Sequence, residues 1–234
     1  MVELTGFQPF ESREVASLAA ADLLAGLLRD TLDDNPLAGA SLVVSGGSTP
    51  GPCFAQLSTE SLDWPRVTVV PSDERWVPPR NPASNELLIR RQLIRNKAGR
   101  AQLLPFFRAG IEAVQAPKMI ERDLQAVPQP FSATLLGMGE DGHFASLFPD
   151  FSGLPGALDP GGEARCVMVQ TGASPHPRIS LTLSALLDSR AIILLIFGQA
   201  KRCVIEAAYQ ADSAYPVEAL LRHAGCPLHV LWAP

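Results

Sequence analysis

Residues 133–149 read ATLLGMGEDGHFASLFP, and this stretch is the clearest indication of the fold class. It runs without a break from an apolar segment, residues 133–138, into a glycine-rich polar turn at residues 139–143. A short and almost wholly apolar segment is typical of a strand that is buried on both faces of a parallel sheet. The carboxyl ends of parallel strands share one edge, where α/β proteins bind their ligands, so the polar turn indicates a site there.

Other parts of the chain repeat this pattern of strand and helix. Further strands are predicted at residues 41–45 (SLVVS), 67–70 (VTVV), 166–169 (CVMV), 191–197 (AIILLIF) and 228–232 (LHVLW). Apolar residues at helical spacing predict helices at residues 14–28, 85–95, 112–127, 181–187 and 200–209. The alternation predicts an α/β fold with a mostly parallel sheet flanked by helices. We expect one domain over residues 1–234, with a small lobe or lid carried by the proline-rich residues 78–105.

The composition excludes several classes of protein. Apolar residues make up 47% of the 234 residues and charged residues 18%, which indicates a globular chain with a sizeable core. The net charge of −5 argues against a general nucleic-acid-binding protein, because phosphate backbones select basic surfaces. The longest apolar run, residues 191–197, is far too short to span a bilayer. We therefore expect a cytoplasmic protein without a nucleic-acid or membrane partner.

The cysteines and histidines suggest neither disulfides nor a metal. Cys53, Cys166, Cys203 and Cys226 are widely spaced and form no CxxC pair. This arrangement is typical of free thiols in a reducing cytosol. No set of His, Cys, Asp and Glu residues has the spacing of metal ligands, so the sequence predicts no metal site.

Polar clusters come directly after four of the predicted strands, at residues 45–49, 72–75, 139–143 and 198–201. The first belongs to SGGSTP, in which glycines allow close approach of the backbone to an anion. Thr49 is expected to cap the next helix, with Pro50 at its first position, so that free N–H groups face a phosphate. The alternative for this segment is a tight strand-to-helix turn that binds nothing.

The candidate catalytic group is His143, with Asp141 two residues before it. Histidine has the ordinary pKa nearest to neutrality and can take a proton from water, while the carboxylate orients the ring or stabilises its charged form. A lone histidine packed beneath the sheet edge is the alternative. The position of His143 in a glycine-rich turn after a strand favours the catalytic interpretation.

Three cations and one further acid complete the candidate site. Lys201 lies in the first turn of a predicted helix, where a cation opposes the helix dipole unless an anion is bound. Arg75, beside Asp73, can stabilise negative charge on a carbonyl oxygen in the transition state. Arg178 precedes what we interpret as another helical segment. Each of these residues has a plainer alternative as a solvated surface charge.

Six stretches together resemble the 6-phosphogluconolactonase family, part of a superfamily that includes glucosamine-6-phosphate deaminase. They cover most of the chain from about position 41 to 208: SGGSTP, PSDERWVP, SNELLIRRQL, LLGMGEDGHFASLFP, RISLTLSALL and GQAKRCVIEAA. The deaminases usually continue DGHIAFNEP, whereas this chain reads DGHFASLFP, the lactonase form. The resemblance implies a modified Rossmann-like fold, no cofactor and a phosphorylated sugar lactone as the small-molecule partner.

The resemblance also implies a reaction and a role for each residue. The reaction is hydrolysis of 6-phospho-D-glucono-1,5-lactone to 6-phosphogluconate in the oxidative pentose phosphate pathway. The phosphate end of the substrate is assigned to Gly46, Gly47, Ser48, Thr49, Arg178 and Lys201. The lactone end is assigned to His143 as general base, Asp141 as its support, and Asp73 and Arg75 as lining residues.

The inventory of side chains suits this reaction, because a δ-lactone is an activated ester that needs no covalent nucleophile. No G-x-S-x-G elbow is present, which argues against an acyl-enzyme hydrolase. One alternative is an aminosugar-phosphate deaminase in which Asp73 transfers the proton and His143 assists ring opening. Another is a sugar-phosphate sensor that has kept the pocket without catalysis.

Overall fold

The computed structural model describes residues 6–34, 37–172, 174–210 and 213–234. The strands in these ranges are β1 (Phe7–Pro9), β2 (Ala40–Val44), β3 (Val67–Pro71), β4 (Asp73–Arg75), β5 (Gln102–Leu103), β6 (Ala133–Leu136), β7 (Cys166–Val169), β8 (Arg178–Leu181), β9 (Ile192–Phe197) and β10 (Leu228–Ala233). The helices are α1 (Arg13–Asp34), α2 (Gly51–Leu57), α3 (Asn85–Gln92), α4 (Ala116–Leu124), α5 (Leu154–Ala157), α6 (Leu183–Leu187), α7 (Gln199–Ala208) and α8 (Val217–His223).

Two sheets organise these elements. A seven-stranded sheet has the order β1-β10-β9-β6-β2-β3-β5, and all of its pairings are parallel. A three-stranded sheet has the order β4-β8-β7 and is antiparallel. The predicted α/β fold with a mostly parallel sheet is confirmed. The predicted strand at residues 166–169 exists as β7, but it belongs to the small antiparallel sheet.

The large sheet is apolar on both faces because helices cover both. Leu135 packs in one cluster with Leu24 of α1 and Phe54 of α2, whereas its neighbour Leu136 packs in another with Ile205 of α7. Successive strand residues point to opposite faces, so a strand between two helix layers is apolar at nearly every position, and the one polar residue of β6, Thr134, is hydrogen-bonded to Ser189 Oγ. This explains why residues 133–138 show no alternation of apolar and polar residues.

The proline-rich residues 78–105 do not form the expected lobe. Ile89 of α3, Leu93 and Ala98 are fully buried and pack with the large sheet, and Gln102–Leu103 is its edge strand β5. The smaller unit of the fold is instead the three-stranded sheet. No helix in the described ranges is both long enough and apolar enough to cross a membrane.

Strand order reverses beside β2. From β2 the chain adds β3 and β5 on one side, and β6, β9 and β10 on the other. Adjacent connections therefore leave the sheet in opposite directions and open a crevice above β2 and β6. The loops after these two strands are residues 45–50 and 137–144, which contain two of the predicted polar clusters.

Candidate active site

A cavity of about 230 Å³ lies at this crevice. The predicted site residues that line it are Gly46, Gly47, Ser48, Thr49, Asp73, Arg75, His143, Arg178 and Lys201. Asp141, the remaining predicted residue, contacts the ring of His143 from outside the lining. Segments that are up to 155 positions apart in the chain, from Gly46 to Lys201, thus face one small volume.

His143 is held in place by an acid, an aromatic ring and a glycine. Its Nδ1 lies 2.5 Å from Asp141 Oδ1, which also accepts a hydrogen bond from the His143 backbone N–H at 3.2 Å. The imidazole stacks on Phe148 at 4.1 Å between ring centroids. A Cβ at Gly139 would come within 2.3 Å of His143 Nδ1, so this position needs a glycine. The engaged Nδ1 leaves Nε2 as the nitrogen that can exchange a proton with a molecule in the cavity.

The turn that carries His143 is fixed from a second side. Gly142 has φ of +76°, in the left-handed region that favours glycine, and a Cβ there would lie 2.7 Å from Tyr215 Cβ. Its carbonyl accepts a hydrogen bond from Val217 N at 3.0 Å. The segment that begins α8 therefore supports the turn that carries His143, which restricts where the imidazole can lie.

In the small sheet two arginines lie opposite each other on neighbouring strands. Asp73 and Arg75 lie on β4, and Arg178 on β8 is the register partner of Arg75. The sequence pattern places residues 73–75 in a loop after a strand and Arg178 at the start of a helical segment, but the structure has all of them in strands. Side chains directly opposite in an antiparallel pair lie on the same face, so both guanidinium groups are on the same side of the cavity.

Asp73 is a buried acceptor for several donors. It is 4% exposed, and its Oδ2 accepts from Ser146 Oγ at 2.5 Å and lies 3.5 Å from Arg178 Nη1. Its Oδ1 accepts from Ser72 Oγ at 3.1 Å. The carboxylate is therefore engaged on both oxygens, which suits the anchoring of Arg178 better than the removal of a proton from a substrate.

The two guanidinium groups are held differently. Burial lowers the pKa of Arg178, Asp73 opposes this effect, and the positive charge of Arg75 adds to it. Arg178 also lies over the ring of Phe148, at 5.1 Å from its centroid. Arg75 Nη1 donates to Ala83 O at 2.8 Å, whereas its Nε is buried and has no hydrogen-bond partner among the described residues. Arg75 as a residue lines the cavity, which makes its guanidinium a candidate donor to an acceptor on a ligand.

The glycine-rich loop after β2 forms the opposite wall, with one correction. Gly47 has φ of +89°, which lets the loop turn sharply. The expected cap by Thr49 is wrong: α2 begins at Gly51 with Pro50 at its N-cap, and no side chain caps it. Thr49 instead lines the cavity.

Lys201 stands where the sequence predicted it, as the third residue of α7 after Gly198. Burial lowers the pKa of its ammonium group, an effect that the nearby Glu140 opposes. A partly desolvated cation at the positive end of a ten-residue helix is electrostatically unfavourable until an anion arrives. This position therefore suits a phosphate in the cavity.

Three contributing residues were not singled out from the sequence: Asn85, Ser146 and Phe148. Asn85 lines the cavity, Ser146 bonds Asp73, and Phe148 packs against both His143 and Arg178. All three lie within stretches that carry the family resemblance, which is the signal that could have found them. Their partners are distant in the chain, so spacing alone did not reveal their roles.

The four cysteines are free thiols and do not line the cavity: Cys53, Cys166, Cys203 and Cys226. Burial raises the pKa of Cys53 to about 12 and that of Cys166 even further, so neither is a nucleophile at neutral pH. Nowhere in the described residues do three or more His, Cys, Asp or Glu side chains gather as a metal site would require.

Known proteins share both the sequence and this architecture. Residues 11–232 match the family model described as glucosamine-6-phosphate isomerases/6-phosphogluconolactonase. A 6-phosphogluconolactonase of Pseudomonas aeruginosa is 37% identical over 98% of this chain and 95% of its own, and one of Rhizobium meliloti is 39% identical over 83% and 85%. The crystal structure of a 6-phosphogluconolactonase from Shewanella baltica superposes with a TM-score of 0.94 over 100% of both chains, at 37% identity. The chain therefore belongs to the glucosamine-6-phosphate isomerase/6-phosphogluconolactonase family.

Proposed function

We propose that this protein hydrolyses 6-phospho-D-glucono-1,5-lactone to 6-phosphogluconate, in the cytoplasm, within the oxidative pentose phosphate pathway. One observation carries the proposal: a single cavity joins the His143–Asp141 pair to a glycine-rich loop and three cationic side chains. The relatives named 6-phosphogluconolactonase, which match nearly the whole chain, support the choice of substrate. The proposed unit is a single domain that requires no cofactor.

His143 acts as the general base in this proposal. Nε2 takes a proton from a water molecule as its oxygen bonds to the lactone carbonyl carbon, and Asp141 stabilises the imidazolium through Nδ1. The tetrahedral intermediate then expels the ring oxygen, which receives the proton from Nε2 as the ring C–O bond breaks. General-base help of this kind is worth roughly 10²- to 10⁴-fold in rate.

Arg75 stabilises the negative charge that develops on the carbonyl oxygen. Arg75 lines the cavity, and the bonds of its Nη1 to Ala83 O and Asn85 Oδ1 hold the guanidinium in a fixed orientation. A donor positioned before the reaction is worth roughly 10²- to 10³-fold in rate, because it requires no reorganisation as charge develops. Arg75 is thus the second contributor to the chemical step after His143.

The phosphate occupies the other end of the substrate. Backbone N–H groups of residues 46–49 and the cations Arg178 and Lys201 bind it, and Asp73 keeps Arg178 in place. Binding energy from this remote group orients the ester towards His143. Arg75 and Arg178 are register partners and lie close together, so their positions alone do not separate their roles. Kinetics can separate them, because loss of Arg75 should lower mainly kcat and loss of Arg178 should raise mainly KM.

A coupled assay on freshly made lactone, corrected for spontaneous hydrolysis, tests the proposal directly. Acceleration that depends on enzyme concentration supports it, and hydrolysis at the spontaneous rate refutes it. Incubation with glucosamine-6-phosphate and an ammonia assay is the matched comparison. Rapid ammonia release would favour the deaminase reaction, which the engaged state of Asp73 disfavours.

A further inference from the structure

The side-chain amide of Asn85 lies where three parts of the cavity meet. Asn85 is the first residue of α3, is 2% exposed and lines the cavity. Its Nδ2 donates to Asp73 O at 2.8 Å and to Asp73 Oδ1 at 3.3 Å, and its Oδ1 accepts from Arg75 Nη1 at 3.1 Å. None of the proposed reaction steps uses this amide, although its hydrogen bonds all lie within the site.

The same amide packs directly on the glycine-rich loop. A Cβ at Gly46 would lie 2.0 Å from Asn85 Oδ1 and 2.4 Å from its Cγ, which no real contact allows. The φ of Gly46 lies outside the left-handed region, in contrast to that of Gly47. Gly46 therefore has to be a glycine for space and Gly47 for conformation. Asn85 sets how closely the loop approaches β4.

Asn85 also sets the orientation of the Arg75 guanidinium. Nη1 is held by Asn85 Oδ1 and by Ala83 O, and the buried Nε has no partner among the described residues. A guanidinium is planar, so fixing one nitrogen fixes the direction of the remaining N–H groups. The amide thereby orients the donor that the proposed reaction directs at the carbonyl oxygen.

Asn85 is itself held rigidly by the buried carboxylate of Glu74. Glu74 Oε1 accepts from Asn85 N at 2.7 Å, and Oε2 accepts from Glu86 N at 2.7 Å and from Ser84 Oγ at 3.0 Å. These bonds fasten the first turn of α3 to β4, the strand that carries Arg75. The amide consequently has little freedom to move away from its three contacts.

We infer that Asn85 is a positioning residue for the proposed lactone hydrolysis: it orients Arg75 and fixes the distance between β4 and the phosphate loop. This inference rests on the proposed function. A charge-assisted hydrogen bond predicts that Asn85→Ala lowers kcat roughly 10- to 100-fold with a smaller change in KM. Thr182→Ala is the matched control: it removes the side-chain N-cap of α6, which is not part of the cavity lining, so it should lower the thermal midpoint and leave kcat unchanged.

A second variant gives a signature that a merely structural residue lacks. Asn85→Asp keeps the shape of the side chain but places a carboxylate against Asp73 Oδ1, which disfavours the doubly ionised state. At lower pH one proton is shared between the introduced carboxylate and Asp73, and it replaces the hydrogen bond that the amide Nδ2 donated to Asp73. The ratio of variant to wild-type kcat is therefore expected to rise as the pH falls from about 8 to about 6. A ratio that is flat or falls over this range overturns the inference, even if Asn85→Ala does not fold.

A stability measurement separates this inference from the proposed function. Gly46→Ala is expected to lower the thermal midpoint in the wild-type background and much less in an Asn85→Ala background, because the clashing amide is then gone. Equal losses in the two backgrounds overturn the packing contact. If the wild-type protein does not accelerate lactone hydrolysis, the proposed function is refuted. The double-mutant comparison of thermal midpoints still tests whether Asn85 contacts the loop, because it does not depend on activity.

Discussion

The two sheets supply the cavity in different ways. The seven-stranded sheet contributes only segments that lie beyond the ends of its strands: the loop after β2, the turn with His143 after β6, and Lys201 in the helix after β9. The three-stranded sheet contributes side chains from within its strands, namely Asp73, Arg75 and Arg178. The large sheet thus depends on loop geometry for function, and the small sheet depends on strand register.

The difference extends to how each region tolerates its polar groups. In the loops, glycines make room: Gly139 for the His143–Asp141 pair, and Gly142 for Tyr215. In the small sheet, charges are buried in strands and must be neutralised by hydrogen bonds, as at Asp73 and Glu74. Burial raises the pKa of Glu74, and the N–H donors of α3 oppose this shift. We therefore expect truncation of the polar side chains in the loops to change activity alone, and truncation of those in the small sheet to change stability as well.

The largest effect is expected from the loop of the large sheet. His143→Ala removes the proposed general base and should lower kcat roughly 10²- to 10⁴-fold. Stability should change little, because the ring lines the cavity and its partner Asp141 is 45% exposed. Coupled kinetics and calorimetric binding of 6-phosphogluconate measure the two parts. The control is His223→Ala, an exposed histidine at the end of α8. Unchanged turnover in His143→Ala would refute the assignment of the base.

Arg178→Met tests the small sheet, where activity and stability should fall together. The variant removes a proposed phosphate ligand, which should raise KM roughly 10- to 100-fold, and leaves buried Asp73 without its cation. Asp73 keeps its bonds to Ser146 and Ser72, so we expect a loss of about 1–3 kcal/mol in the free energy of unfolding.

Urea unfolding measures this loss against a matched ion pair outside the cavity. Arg165 pairs with Asp188 at 2.9 Å, and the two side chains are 27% and 36% exposed. Arg165→Met should cost only about 0–1 kcal/mol, because water screens an exposed pair. If Arg178→Met and Arg165→Met lose equal free energy of unfolding, the buried ion pair of the small sheet contributes no more than a partly exposed one. The proposed difference between the two regions is then wrong.

The sequence predicted the large-sheet side of the site far better than the small-sheet side. Residues 133–149 contain both the buried strand and the turn that ends it, so local pattern was enough to predict that His143 and Asp141 lie in a turn after a strand, where the structure has them. Asp73 and Arg178 meet only because β4 pairs with β8 across more than a hundred intervening residues. No hairpin turn joins these strands, and three-residue β4 is too short to show periodicity. Position after a predicted strand brought Asp73 and Arg75 into the candidate set, and the family resemblance gave Arg178 its role, but neither revealed that β4 pairs with β8.

Errors at the edges of elements have the same origin. Thr49 is a favourable N-cap residue by type, yet α2 begins one residue after Pro50, because the loop turns at Gly47 to face the cavity. The proline-rich residues 78–105 resembled a mobile lid by composition. Ile89 and Leu93 bury them against the large sheet instead. In both places tertiary contacts override a correct local preference.

Lys201 also belongs to the side of the site that the large sheet supplies, because it lies in the helix after β9, but its charge is in an unfavourable position. Lys201→Ala should raise KM about 10-fold and leave kcat nearly unchanged, since Lys201 is one of several proposed phosphate contacts. A loss confined to kcat would place Lys201 at the ester instead. Steady-state kinetics with Lys201→Arg as the conservative control separates loss of charge from loss of shape.

The pH dependence of Lys201 has a definite sign. Burial lowers the pKa of Lys201 below its ordinary 10.5, so wild-type KM should begin to rise at a lower alkaline pH than an exposed lysine would allow. The rise should vanish in Lys201→Arg, because a guanidinium stays charged. Stability moves the other way: the penalty for the desolvated cation applies below the lowered pKa and is relieved as the pH rises towards 10.5. A KM that is independent of pH up to that value contradicts this account.

The smallest effect is expected from Gly26, in the helix layer behind the large sheet. Gly26 lies inside α1, a Cβ there would meet nothing within 4 Å, and its φ is outside the left-handed region. Gly26→Ala should therefore stabilise the protein by about 0.5–1 kcal/mol through the lower entropy of the unfolded chain, with kcat and KM unchanged. Urea unfolding and the coupled assay test both parts. Because Gly26 does not line the cavity, a changed kcat would show that the packing of α1 influences the loops of the site.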